Sequence, residues 1–147
     1  MNSELDKKLV EDFPLLYADR YSDKRATAMC WGFACGDGWE PLIRELSEHL
    51  EKEIQKYIEL YTEDEIEEAK KFYGEYPWWP TASQVKEKYG TLRFYMTKSS
   101  DKMEEYINVA ERKSARTCEV CGKRGKVYAE GWIITRCAPC RKKEYEG

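Results

Sequence analysis

The chain has 147 residues, 41 % apolar and 36 % charged, with a net charge of −3 and a mean hydropathy of −0.82. That is the size of one domain with a small appendage, wet on its surface and rich enough in rings (5 Trp, 11 Tyr, 4 Phe) to fill a modest core. No run of about eighteen apolar residues exists to span a membrane, and Met1 to Lys8 lead into nothing like a secretory signal; the reading is therefore a cytoplasmic protein, in which paired cysteines imply metal rather than disulfides.

In chain order, Leu5, Leu9 and Val10 among charges predict a short amphipathic helix over 3–12, ended by Pro14. Phe13, Leu15, Leu16 and Tyr17 form an apolar knot, followed by a polar stretch at 18–28. The segment Cys30-Trp-Gly-Phe-Ala-Cys-Gly-Asp-Gly-Trp39 is dense in glycine and rings and reads as a shaped loop ahead of a helix. Pro41 suits a first turn, and Leu42, Ile43, Leu46, Leu50, Ile54, Tyr57, Ile58 and Tyr61 mark one stripe of a helix over 41–61. Asp37, or Trp39-Glu40, supplies its start. Thr62 with Glu65 is a capping box for a helix over 63–73 that stops at Gly74. The two helices pack as a hairpin or form one kinked rod, and the hairpin is preferred.

Residues 84–97 alternate around Gly90, the pattern of a β-hairpin, although 83–89 also suits a short helix capped by Gly90; the strand over 91–97 is the firmer element. Ser100-Asp101 caps a helix reaching about Lys113, with Met103, Tyr106, Ile107 and Ala110 on one face. The fold class expected is α+β: a helical hairpin packed with a small antiparallel sheet over 1–113, then a four-cysteine finger over 114–147.

That finger carries the clearest chemistry. Cys118-x-x-Cys121 and Cys137-x-x-Cys140 stand fifteen residues apart, and two such knuckles aim four sulfurs at one tetrahedral Zn²⁺ about 2.3 Å away. Gly122 suits the turn after the first pair, and two short apolar runs flank Glu130-Gly131 as in a β-hairpin. A short helix from Arg141 would carry the second pair at its start, giving a zinc ribbon or treble-clef-like finger. Four cysteines leave no open coordination position, so this zinc is structural. Residues 111–147 carry 10 Lys+Arg against 5 Asp+Glu, whereas residues 1–110 carry 15 against 23. The acidic body argues against general affinity for duplex DNA. The basic finger, with Trp132 and Arg136, remains open to nucleic acid.

Other candidates carry a plain structural reading beside the functional one. Cys30 and Cys35 are buried thiols or ligands of a second site. His49 sits at the edge of the long helix's stripe, and Asp37 caps the helix after it or contacts a ligand. Trp39, Trp78, Trp79, Arg93 and Tyr95 either fill the core or form an aromatic, arginine-edged groove for a partner or nucleotide. No Ser–His–acid set, phosphate-cradling glycine loop or dinucleotide fingerprint is present, so the balance tips away from an enzyme.

The Trp31-Gly-Phe…Cys35-Gly-Asp-Gly-Trp39 block, the Val85-Lys-Glu-Lys-Tyr-Gly-Thr-Leu-Arg-Phe-Tyr95 block and the terminal four-cysteine element, in this order, resemble a group of small uncharacterised phage and prophage proteins. The resemblance covers about residues 29–140 and implies a viral origin. It carries no activity with it. The function expected is stoichiometric binding to a host component, as an inhibitor or anti-defence protein; the alternatives are nucleic-acid binding through the finger and capture of a nucleotide signal near Trp78 and Arg93.

Overall fold

The computed structural model describes residues 1–24 and 27–146; residues 25–26, within the polar stretch, and Gly147 lie outside the described residues. Among the described residues, five α-helices and two small sheets make an α+β body and a finger. Helix α1 (Ser3–Asp12) begins where the Asn2 side chain accepts the Leu5 N–H, and α2 (Glu40–Glu59) follows Trp39 with Pro41 in its first turn. Leu42, Ile43, Leu46, Leu50 and Ile54 are all buried, so the stripe read from spacing is the face that meets the core.

The packing partner of that face differs from expectation. Helix α3 (Glu63–Tyr73) starts at the capping box of Thr62 and Glu65, but it buries no residue. Its sequence supplies only Ile66, Ala69, Phe72 and Tyr73 as apolar positions, and Phe72 is 84 % exposed. The neighbour that α2 packs against is α4 (Asp101–Ser114), through Met103, Ile107 and Ala110. A local hairpin lost to a distant helix because the distant helix carries the better apolar face.

Residues 83–88 are strand, within β2 (Ala82–Lys88), which pairs antiparallel with β3 (Thr91–Met96), and Tyr89 opens the turn between them. The sheet is mixed rather than purely antiparallel. Its first strand, β1 (Phe33–Ala34), runs parallel to β2, with α2 and α3 as the crossover that a parallel pair requires. Two residues are too few to show a period, so β1 was illegible in the sequence. The other edge is closed by α4, where the Leu92 N–H donates to Ser114 Oγ (2.9 Å) and the Phe94 N–H to Glu111 Oε2 (3.0 Å).

The apolar knot is held by polar side chains that take up its backbone. Glu51, buried on α2, accepts the Leu15 and Leu16 N–H groups at 3.3 and 2.9 Å. Trp79 Nε1 donates to Leu15 O (2.9 Å), and the buried Tyr17 hydroxyl meets Ser47 Oγ at 2.6 Å. Arg20 forks onto Asp6 at 2.8 and 3.2 Å and donates to Cys30 O. Among the described residues no helix is long and apolar enough to cross a membrane.

Because Phe72 on α3 and Leu60 at the end of α2 both stand outside the core, Phe72→Ala and Leu60→Ala are expected to change unfolding free energy by less than about 0.5 kcal/mol. Leu50→Ala should cost about 2–5 kcal/mol in the same urea titration. A large loss at Phe72 would restore the hairpin packing.

Candidate metal centre

The finger is built from a knuckle, a hairpin and a helix. Cys118 to Cys121 turn tightly, with the Gly122 N–H returning to Cys118 O at 2.9 Å and Gly122 itself at φ 79°. Strands β4 (Lys126–Tyr128) and β5 (Ile134–Arg136) pair antiparallel, so Trp132 lies in the turn between them rather than on a strand. Cys137 precedes α5 (Ala138–Glu146), and Cys140 lies in its first turn.

These elements bring the four thiols together: the sulfurs of Cys118, Cys121, Cys137 and Cys140 all lie within 4.8 Å of one another, and those of Cys121 and Cys137 are 3.6 Å apart. A tetrahedron with metal–sulfur bonds of about 2.3 Å has edges of about 3.8 Å, so the donor set fits one four-coordinate ion. The electrostatics point the same way. Burial opposes ionisation of Cys118, but the N–H groups of Cys121, Cys137 and Val120 favour its thiolate and bring its pKa to about 7. Cys140 is pushed up to about 12, first by its hydrogen bond to Cys137, then by burial and by Cys121 and Cys118. Four thiols at this spacing cannot all ionise without a cation among them. Among the described residues this is the one such cluster. Cys35 sits in the core, its thiol pushed up to about 12 mainly by burial, and Cys30 is half-buried.

The glycine-rich block supplies what the finger rests on. The Gly38 N–H donates to Glu119 O and the Gly36 N–H to Glu119 Oε2, both at 2.8 Å, and Trp39 Nε1 donates to Thr117 O at 2.9 Å. A Cβ at Gly36 would strike the Glu119 carbonyl oxygen, and one at Gly38 would strike those of Cys118 and the amide of Gly122. Asp37 does not cap α2. Its carboxylate holds Asn2, through the backbone N–H at 2.7 Å and Nδ2 at 3.0 Å, and so anchors the start of α1. A second seam joins the hairpin tips: Thr135 Oγ1 donates to Gly90 O, and Ile133 packs against Gly90.

The other candidate residues are scattered. Trp39 is fully buried and uses its one N–H within the chain. Trp78 is buried against Tyr57, Tyr61 and Trp79, and with Trp79 borders a depression that Arg93 does not line. Arg93 instead borders one beside α4. Tyr95 is 43 % exposed. Arg136 is committed within the finger, its guanidinium bridging Glu119 at 3.2 Å and Glu144 at 2.9 Å. His49 stacks on Tyr106 with centroids 4.4 Å apart. Trp132 alone of these is widely open, at 83 % exposure, and it shares a cleft of about 380 Å³ with Tyr89, a residue the sequence did not single out. The clue to Tyr89 lay in its place before Gly90, where a two-residue hairpin turn puts both residues at positive φ.

No family model, curated protein or solved structure matches this chain.

If the knuckle rests on bare backbone, Gly38→Ala is expected to lower stability by about 1–3 kcal/mol and to weaken metal uptake with it. Thermal melting with and without added metal measures both; unchanged values would show that the contact is dispensable.

Proposed function

We propose that the chain is a non-enzymatic, phage-type binding protein. In this reading one structural zinc ion, held by Cys118, Cys121, Cys137 and Cys140, keeps a treble-clef-like finger on the body, and the protein acts by stoichiometric contact with a host protein. The knuckle–hairpin–helix order and the thiolate-favouring environment of Cys118 support zinc. With all four positions taken by sulfur, the ion has no place for a substrate. Its role is to fold about thirty residues that bury little apolar surface of their own.

The observation that carries the binding reading is the pair of rings at the seam. Tyr89 and Trp132 stand 65 and 83 % exposed on two different hairpin tips and face one cleft. Tyr89 holds φ at 53°, a backbone region that costs a side-chain-bearing residue about 1–2 kcal/mol and that asparagine or glycine would occupy with less strain. A strained position keeping a large exposed ring is a signature of function rather than of folding. Tyrosine and tryptophan are also the residues that concentrate energy at protein interfaces. The resemblance of the sequence blocks to small phage proteins supports the host side of the reading.

Native mass spectrometry of the protein with partner drawn from a bacterial host extract counts metal and partner together. The expected result is one zinc and one partner per chain. The Tyr89→Ala/Trp132→Ala double variant should keep the zinc and its melting temperature, within about 2 °C, and lose the partner at least about 100-fold. A chain without zinc, or one that converts many equivalents of a substrate, would contradict the proposal.

A further inference from the structure

The outer face of the β2–β3 hairpin carries Gln84, Lys86 and Lys88 opposite Tyr95, Arg93 and Thr91, and none of these six is acidic. Lys86 and Arg93 are direct cross-strand partners. Like charges in that relation repel and weaken a sheet, and among the described residues neither has an ion-pair partner. Arg93 leads into a depression of about 450 Å³ that it lines with Thr91, Asn108, Glu111, Arg112 and Ala115. The one carboxylate there, Glu111, is occupied by the Phe94 N–H.

The next residue along the chain, Arg116, lines a second depression of about 460 Å³ with Arg124 and Lys126. Backbone pairing gathers them: the Gly125 N–H donates to Arg116 O at 2.8 Å, and Thr117 bridges to Arg124. No carboxylate lines this second depression. Arg112, Arg116 and Arg124 form no ion pair among the described residues, and Lys126 lies over the Tyr128 ring at 5.1 Å.

We propose that this run of cations, from Lys86 and Arg93 through Arg112 and Arg116 to Arg124 and Lys126, binds the phosphate backbone of single-stranded nucleic acid. Four of the six are arginines, whose planar forks match phosphate oxygens. Tyr95 stands 43 % exposed on the same face as Arg93, where an unpaired base stacks and a paired one does not. The excess of acid over base in residues 1–110 disfavours the broad contact a duplex would need. Offsetting the charge of a four-thiolate zinc explains Arg124 and Lys126 beside Cys137, but it does not reach Lys86 and Arg93 on the body. The inference goes beyond the protein contact at Tyr89 and Trp132 and stands on different residues, so either can fail while the other holds.

The test is fluorescence anisotropy of the zinc-loaded full chain with a labelled 20-nucleotide single-stranded DNA, its RNA counterpart and the matching duplex, between 50 and 300 mM salt. The single strands are expected to bind more tightly than the duplex, with a log–log salt slope of about −4 for six phosphate contacts at about −0.7 each. Lys86→Gln/Arg93→Gln and Arg116→Gln/Arg124→Gln should each weaken binding at least about tenfold and flatten the slope by about 1.4. Lys86→Gln alone should leave the melting temperature unchanged or raised, because it relieves the repulsion across the hairpin. Absence of binding at 50 mM salt, or binding that both double variants retain, would overturn the proposal. Polyglutamate competing as well as the oligonucleotide would also overturn it, in favour of an acidic protein.

Discussion

Two backbones touch where Gly36 and Gly38 meet Cys118 and Glu119, with no room for a carbon atom between them. The Gly38 amide closes on Glu119 O, the Trp39 indole on Thr117 O, and the Glu119 carboxylate reaches back to Gly36 while Arg136 holds it from the other side. The environment of residues 36–39 follows from this contact. Trp39 is buried because its indole must reach the knuckle. Asp37, between the two glycines, is free to hold Asn2 and bring α1 against the same loop.

In the proposed reading, the contact also explains why the finger would need a metal where the body has a core of its own. The body buries a continuous set of side chains from α1, α2, the sheet and α4, and at about 25 cal/mol per Å² of apolar area such burial is the dominant stabilising force. The finger buries chiefly Cys118, Cys137 and Thr135. Its knuckle has to be rigid for glycine backbone to lie against it, and four clustered thiols drawn to one cation would supply that rigidity. Cys118 and Glu119 are neighbours in sequence, so what fixes the sulfur fixes the docking carbonyl. Metal and interface are thus two ends of one short segment.

Much of this was legible where a local rule acts alone. The apolar stripe of α2, the capping box of α3, the Ser100 cap of α4 and the two knuckles each depend on residues within a few positions, and each stands where its pattern placed it. What was illegible depends on long-range partners. The spacing within α3 gave a helix but could not say that α4 would win its place against α2. Strand β1 pairs in parallel through two residues, too few for a period. Asp37 looked like a helix cap because its true partner, Asn2, lies 35 positions away. The rings at 76–80 could be read as core or as a groove, and spacing could not decide it; Trp78 is buried against Tyr57 and Tyr61, which come from a different part of the chain. The pairing of Tyr89 with Trp132 arises only once two hairpins from opposite ends of the fold abut.

In the proposed reading the metal-bound knuckle holds the glycine block, and amide hydrogen exchange at Gly36 and Gly38 reports on it directly. On removal of zinc by a chelator, both amides are expected to lose protection in step with Gly122, while the Leu50 amide inside α2 stays protected. Gly36 and Gly38 keeping full protection while Gly122 loses its own would show that the body loop stands without the finger, and would contradict the account.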